Sequence, residues 1–370
     1  MKGEQASPRL RVAYHGPVHD ISGYGTAARA YIGAFRSSGI DLVVIDSSNI
    51  KRQQLEYECS SWNGWREDDI DFHLFHGVPP QWKTSGLSPE RIVGMTVWET
   101  NRVPDAWLNP IQAVRELWIP CGFNAEVFGP ATGGRLFELP HPTTCIEPGI
   151  RRSFPGIGDH EFLVYSIFEW QHRKSPIELM ETYLRAFQDE EETVFFVKTN
   201  PAARQAALDA VKLARSHTGS RARIELCCEI WQEEQIRSLH QRGDCYLSLH
   251  RGEGWCYPLF DAACHGTPAV ATAYSGPMEY LDPEAHYLVP WRSAPVLQKY
   301  TYYDARMRWA EPDCDIAVAK LRDAYRDRVC ARKRATEAAV FLRSRYAPSE
   351  IGRQAKERLI LLSQKVGAAV

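Results

Sequence analysis

Residues 250–281, HRGEGWCYPLFDAACHGTPAVATAYSGPMEYL, constrain the fold of this chain more than any other stretch. Before them runs Cys245–Leu249, a short apolar segment bounded by polar residues, which is the signature of a buried strand. Arg251–Gly252–Glu253–Gly254 follows, with a glycine on each side of a carboxylate. Glycine permits backbone shapes that other residues resist and lets a ligand come close. A helix is predicted to start near Tyr257–Pro258, since proline suits a first helical turn. It is predicted to stop at Gly266, a C-cap residue followed by the breaker Pro268, and Ala269–Thr272 reads as the next strand. Strand, glycine loop and helix start together make an anion site, because the free N–H groups of the first turn and the helix dipole both point at the loop. Glu253 stands at the loop mouth, and Asp261 about one turn into the helix. Carboxylates accept hydrogen bonds from vicinal hydroxyls. An anion between two of them describes a hydroxyl ring, phosphates and a second hydroxyl ring, as in a nucleotide sugar. The competing reading is an ordinary glycine-rich turn of a doubly wound domain.

The stretch resembles the donor site of glycosyltransferase family 4, retaining enzymes of the GT-B fold. Their pattern, EG(F/W)GLPxxEAxAxGxPV, is met by Glu253–Gly254–Trp255–Cys256–Tyr257–Pro258, then Asp261–Ala262, then Gly266–Thr267–Pro268. The resemblance implies that Glu253 holds donor-sugar hydroxyls and Asp261 the ribose, with Gly254, Trp255, Cys256 and Tyr257 lining the donor. Asp261 stands where the family has Glu, one methylene longer, and Cys256–Tyr257 stand where it has Gly-Leu. The implied fold class is α/β: two doubly wound Rossmann-like domains facing across a cleft, the GT-B arrangement.

A chain of 370 residues exceeds a single core and predicts two domains. The expected division is an acceptor-side domain over 1–145, a linker over 146–158, a donor domain over 159–345, and a helix over 346–370 that crosses back to the first domain. A formal net charge of −2 supplies no global field for nucleic acid or an anionic membrane. The polar N-terminus and the lack of any run of eighteen apolar residues predict a cytoplasmic protein. Ten cysteines are scattered without a C-x-x-C, so reduced thiols are expected rather than a metal site. Peripheral membrane contact and a nucleic-acid acceptor stay open, and nothing speaks to oligomeric state.

Along the first domain, Leu10–Tyr14 reads as a strand and a helix is predicted from about Thr26 to Phe35. Between them, Gly23–Tyr24–Gly25 resembles the family's N-domain glycine loop, which implies that Gly23 and Gly25 approach the donor phosphates and Tyr24 the acceptor. A structural turn is the alternative. Asp71–Phe75 reads as a strand with His76 at its carboxyl end, where ligands of open α/β sheets bind. The resemblance makes His76 an active-site histidine touching the donor sugar; otherwise it is hydrogen-bonded beneath a proline-rich turn. Ile92–Thr100 reads as one strand ending near Glu99, which the resemblance aims at acceptor hydroxyls. Capping the next helix or pairing with Arg102 are its other readings.

Phe162–Ile167 opens the second sheet. Ser175, Pro176 and Glu178 read as N-cap, first position and third-position carboxylate of a helix. Arg173 and Lys174 stand just before it and resemble the family's cations against the donor pyrophosphate, which neutralise the charge of a departing nucleoside diphosphate. Thr193–Lys198 reads as a buried strand whose Lys198 approaches the nucleotide, and Ile230 lies where the family's loop meets the base. Tyr302–Trp309 reads as a loop and Ala317–Tyr346 as helix laced with ion pairs. A final helix is predicted over Pro348–Leu362, with Ile351, Leu359 and Leu362 on one face.

These readings converge on a retaining, metal-independent glycosyltransferase of hexosyltransferase type, moving a sugar from a UDP- or GDP-linked donor to an acceptor hydroxyl. Glu253, Lys174, Arg173 and His76 are its catalytic candidates, and no cofactor beyond the donor is expected. A nucleotide-sugar epimerase or inverting transferase of the same fold, and a non-catalytic nucleotide-sugar-binding protein, are the alternatives. A nicotinamide-dependent enzyme is disfavoured, because no G-x-G-x-x-G follows the first strand.

Overall fold

The computed structural model describes residues 10–48, 57, 59, 64–145, 153–189, 191–298 and 300–367. Part of the expected linker, 146–152, lies outside the described residues. The chain divides into two compact units. One comprises Met1–Trp98, Arg102–Thr144 and Ser344–Val370; the other comprises Glu99–Asn101 and Cys145–Arg343.

The first unit is built on β1 (Arg11–Gly16), α1 (Gly23–Ser37), β2 (Asp41–Asp46), β3 (Phe72–His76), β4 (Ile92–Met95), α2 (Asp105–Gln112), β5 (Glu116–Ile119), α3 (Gly122–Thr132) and β6 (Leu136–Glu138). Its strands form one parallel sheet in the order β2-β1-β3-β4-β5-β6. Runs such as Val12–Ala13–Tyr14 and Leu74–Phe75 are buried, as expected of parallel strands covered on both faces. α1 begins at Gly23, earlier than the sequence predicts, because the Ser22 side chain accepts from the Gly25 N–H and caps the helix there. β4 stops at Met95 rather than reaching Thr100. Beyond it, the buried Asn124 amide takes over the backbone of Trp98, accepting from its N–H at 3.4 Å and donating to its carbonyl at 2.8 Å.

The second unit contains β7 (Phe162–Ile167), α4 (Pro176–Ala186), β8 (Thr193–Lys198), α5 (Arg204–Thr218), β9 (Arg223–Cys227), α6 (Glu233–Arg242), β10 (Cys245–Ser248), α7 (Tyr257–Cys264), β11 (Ala269–Thr272) and β12 (Tyr287–Val289). Its parallel sheet has the order β12-β11-β10-β7-β8-β9. Read from its far edge this is the doubly wound dinucleotide-binding order, which reverses between β7 and β10 and opens a crevice outside their carboxyl ends. α7 stops as predicted: Gly266 has φ +72°, and the Thr267 N–H bonds the Ala262 carbonyl at 2.9 Å.

Two expectations fail in this unit. Residues 302–307 form a loop as predicted, but Arg308–Trp309 already belong to β14 (Arg308–Pro312), which pairs antiparallel with β13 (Trp291–Pro295) in an unpredicted ribbon. The single long helix over Ala317–Tyr346 is two, α8 (Cys314–Arg326) and α9 (Arg328–Arg345). Asp327 divides them: its N–H closes α8 on the Asp323 carbonyl, and its own carbonyl accepts from Ala331 to open α9.

The last helix, α10 (Pro348–Gly367), belongs to the first unit. Ile351, Leu359 and Leu362 are buried on its inner face. It lies so close to α1 that a Cβ on Gly352 would come within 2.1 Å of the Ala34 carbonyl oxygen. Arg358 of α10 pairs with the buried Glu116, which also accepts from the Trp118 indole at 2.9 Å. Among the described residues, no helix is long and apolar enough to cross a membrane.

Candidate active site

The reversal between β7 and β10 brings the two predicted loops together. After β7 the chain makes a short 3-10 turn, His172–Lys174, and after β10 it runs through Arg251–Gly252–Glu253. Arg173 Nη1 donates to Glu253 Oε2 at 2.9 Å and to the Gly252 carbonyl at 3.0 Å, while Lys174 Nζ pairs with Glu253 Oε1. The Glu253 side chain is 5% exposed. Burial alone would raise its pKa, but Lys174, Arg173 and His250 beside it hold the carboxyl down at about 2. Burial works against the charge on Arg173 as well, yet Glu253 and Glu99 keep its pKa well above the ordinary value. The first unit's reversal lies between β1 and β3, and His76 ends β3 there.

The loops are held by residues that the sequence reading did not single out. Arg251 is buried and spends its guanidinium entirely inside the protein. It donates to Glu311 at 2.9 and 3.0 Å, to Glu178 Oε1 and Ser175 Oγ at 2.7 Å, and to the His172 carbonyl at 2.9 Å. Its own N–H bonds the Arg173 carbonyl at 2.7 Å. Ser175 holds the N-cap, Pro176 opens α4 and Glu178 lies in its first turn, as predicted, but Ser175 makes no side-chain cap bond, and the side chains of Ser175 and Glu178 turn to Arg251 instead. Ser275 Oγ accepts from the Glu253 N–H at 2.9 Å and fixes the loop from the β11 side. Among the described residues, the non-glycine residues with positive φ are Ser175, Cys256 and Ser275, and each stands beside these loops. Strained backbone gathers where the surrounding structure must over-determine a geometry.

Glu99 is placed in this unit rather than with the residues that precede it. Its Oε1 lies 3.5 Å from Arg173 Nη2, and its Oε2 accepts from the Tyr303 hydroxyl at 3.0 Å. A Cβ on Gly252 would come within 2.1 Å of the Glu99 carbonyl oxygen, so this loop needs glycine for close approach. Glu99 does not cap α2, whose N-cap is Pro104, and Arg102 reaches Asp105 at 3.0 Å. The tip between β13 and β14 adds Tyr300, whose hydroxyl accepts from the His172 N–H at 3.1 Å.

The remaining donor-side candidates are distributed around this cluster. Asp261 is half-buried on α7, and its carbonyl accepts from the His265 N–H in the helix. The Gly254 carbonyl oxygen lies 2.3 Å from where a Cβ on Gly276 would stand, so two loops touch through backbone. Trp255 is buried, its ring about 5.1 Å from those of Phe260 and Tyr280, and Tyr257 packs against Phe260; their rings serve the core. Cys256 holds the N-cap of α7 with φ +70°, and burial pushes its thiol up to about 12. A pocket is lined by Ile167, Lys174, Tyr246, Ser248, Glu253 and Cys256 among others. Lys198, buried at the end of β8, donates to the Thr199 carbonyl and lies over the Trp231 ring at 5.6 Å, while the neighbouring Ile230 is exposed.

In the first unit, His76 is the last residue of β3 and is fully enclosed. Its Nδ1 lies 2.5 Å from the Tyr14 hydroxyl, and the rings of Tyr24, Tyr31 and His141 surround it within 6.4 Å. Burial lowers its pKa to about 3, so it is neutral near pH 7. Tyr24 is bound to Thr96 Oγ1 at 3.1 Å and to the Val97 carbonyl at 3.3 Å. Gly23 is open to solvent, whereas a Cβ on Gly25 would lie 1.8 Å from the Asp20 carbonyl oxygen. Of the candidates, the fold gathers Arg173, Lys174, Glu253 and Glu99 in one unit and His76 with Tyr24 in the other.

No family model matches the chain, and no curated protein matches it in sequence. Solved structures do match it in fold. It is similar to HepE of Anabaena, solved with UDP and glucose, with a TM-score of 0.67 at 9% identity over 95% of this chain and 99% of that one. It is similar to a glycosyltransferase of Rickettsia africae, with a TM-score of 0.66 at 11% identity over 96% and 98%. A third likeness is to a TarM variant of S. aureus solved with UDP, Fondaparinux and alpha-GlcNAc-glycerol, with a TM-score of 0.57 at 10% identity over 78% of this chain. The chain spans 55% of the length of TarM. The fold is GT-B. At these identities the likeness establishes the fold and nothing finer. Among the described residues, no group of three or more His, Cys, Asp and Glu is placed to hold a metal ion.

Proposed function

We propose that this chain is a retaining glycosyltransferase, similar to family 4, that moves a sugar from a nucleoside-diphosphate sugar to an acceptor hydroxyl. The observation that carries the reading is Glu253 buried at the sheet reversal between Arg173 and Lys174. Two cations in a site of low dielectric are suited to a leaving diphosphate, whose negative charge grows as the glycosidic bond breaks. Glu253 is held ionised and accepts hydrogen bonds from sugar hydroxyls, while Asp261 takes those of the ribose. UDP and UDP-sugars in the solved neighbours support a nucleotide donor, with uridine and guanosine both to be tested.

In the retaining course, the bond from the anomeric carbon to the diphosphate oxygen breaks. The acceptor oxygen attacks on the same face, and its proton passes to the departing phosphate. Arg173 and Lys174 stabilise that phosphate, so no side chain is required as nucleophile and no metal as Lewis acid. His76, neutral within its own unit, is assigned to a donor hydroxyl by the resemblance alone. Tyr24, Gly23 and Gly25 belong to the same expectation, as do Lys198 and Ile230 toward the nucleotide.

The test is a panel of UDP- and GDP-sugars with simple sugar acceptors, run with and without a chelator, with the product anomer assigned by NMR. Release of nucleoside diphosphate with the donor's anomeric configuration kept, unaffected by chelation and absent in Lys174→Ala, is expected. Inversion, or interconversion of the donor without transfer, would replace this reading with an inverting transferase or an epimerase. A fold-intact Lys174→Ala with full turnover would remove the role given to the cations.

A further inference from the structure

The charges around the reversal do not balance in favour of an anion. Arg173, Lys174 and Arg251 supply three positive charges, while Glu99, Glu253, Glu178 and Glu311 supply four negative ones, a net −1. A diphosphate entering this cluster must displace an internal carboxylate from a cation. Arg251 and its partners are tied to α4 and β14 and lock the loops. Glu253 is gripped by two cations and has its backbone pinned by Ser275. Glu99 makes the longest ion pair of the set, 3.5 Å from one guanidinium nitrogen, and is otherwise held by one phenol at 3.0 Å.

Arg173 has the matching geometry. Its Nε donates to Gln171 at 2.9 Å and its Nη1 to Gly252 and Glu253, so those edges are committed to the loops. Nη2 faces Glu99. Resting on the reading of Arg173 as a phosphate-binding cation, we propose that Glu99 is a specificity-determining residue of the donor site. Its carboxylate stands in for a phosphate on Arg173 and must yield to the ligand, which opposes binding more strongly the more negative the ligand is. A nucleoside diphosphate carries more charge than its sugar conjugate, since the conjugate has one phosphate ionisation esterified. Glu99 therefore favours the donor over the spent product. Tyr303 takes part by donating to Glu99 and holding it toward Arg173.

The experiment is titration calorimetry at low and high salt on the full chain and on Glu99→Gln and Tyr303→Phe, with inorganic pyrophosphate, UDP, GDP and UDP-glucose as probes. Glu99→Gln should tighten nucleoside diphosphate roughly tenfold and UDP-glucose roughly threefold at low salt, with both gains shrinking at high salt. Tyr303→Phe should move both in the same direction by less, and it reports on Glu99 even if the first variant fails to fold. If the wild type binds nucleotides and neither variant tightens them, this inference falls while the transferase reading stands. If the variants tighten pyrophosphate but no nucleotide binds, Glu99 competes with an anion on Arg173, but the discrimination between donor and product falls together with the nucleotide-sugar reading. If no probe binds any of the three proteins, both fall. Equal gains for UDP and UDP-glucose would overturn the charge discrimination.

Discussion

The two sheets of this chain reverse direction in the same way and furnish the reversal with opposite chemistry. Between β7 and β10, burial encloses Glu253 but two cations meet it, and the carboxylate stays ionised with a pKa of about 2. Between β1 and β3, burial encloses His76 with phenols and a second imidazole, and the ring is driven neutral at about 3. Desolvation acts on both and disfavours the charged form in each. What differs is whether the fold places a counter-charge within reach. One cluster is thereby ionic and the other neutral.

The largest expected effect comes from removing the charge at the first of these clusters. Glu253→Gln keeps the shape and leaves Arg173 and Lys174 buried without their shared partner. Breaking a buried pair on one side typically destabilises by about 3 kcal/mol or more, and transfer should fall to background. The pH dependence identifies the cause. A carboxylate whose folded pKa lies near 2, below its unfolded value, stabilises the fold fully above about 4.3. That stability is lost as the pH falls through the folded value. Denaturant unfolding should therefore show a wide gap between wild type and variant at pH 7 that narrows toward pH 2. A gap of constant width would mean that Glu253 acts by packing and not by charge.

The neutral cluster predicts a different window. His76 in the folded chain resists protonation until about pH 3, while the unfolded chain takes up a proton below about 6.5. Over that interval the unfolded state binds more protons, so His76 makes stability fall as the pH is lowered. His76→Gln, which retains a partner for the Tyr14 hydroxyl, should reduce the slope of unfolding free energy against pH between 4 and 6 by about 1.4 kcal/mol per pH unit. An unchanged slope would show that the ring is already charged in the folded state.

How far the sequence revealed these two regions follows from the range of each interaction. The strand–loop–helix around Glu253, the stop at Gly266 and the cations at 173 and 174 are local patterns, and the fold places them as expected. Ser175 and Glu178 take the predicted positions at the start of α4, but their side chains bond Arg251, which reaches them from more than seventy residues away. The contacts of Glu99 with Arg173 and Tyr303 had no local signal, because these partners lie far along the chain and no spacing rule joins them. The ribbon was missed because its strands, WRSAP and RWAEP, each contain proline and lack alternation. Ser275 had a usable signal, since it follows β11 on the side where ligands of such sheets bind.

The smallest predicted effect separates two reasons for glycine in otherwise similar loops. Gly25 stands in the first turn of α1 with ordinary φ, but a Cβ there would lie 1.8 Å from the Asp20 carbonyl oxygen, so the position needs space. Cys256 opens α7 where the family pattern has glycine, and it has room for a side chain but a φ of +70°. Left-handed backbone costs a non-glycine residue about 1–2 kcal/mol, whereas glycine adds about 0.5–1 kcal/mol of unfolded-state freedom. Cys256→Gly should therefore gain about 0.5–1 kcal/mol, the difference between matching ends of those ranges, less what the buried side chain contributes by packing. Cys256→Ala keeps the strain and loses the thiol's packing, so it should destabilise. Thermal unfolding of the pair decides the point: if alanine proves the better substitute, the strain at Cys256 is already offset by its neighbours, and the family's glycine there serves the ligand and not the backbone.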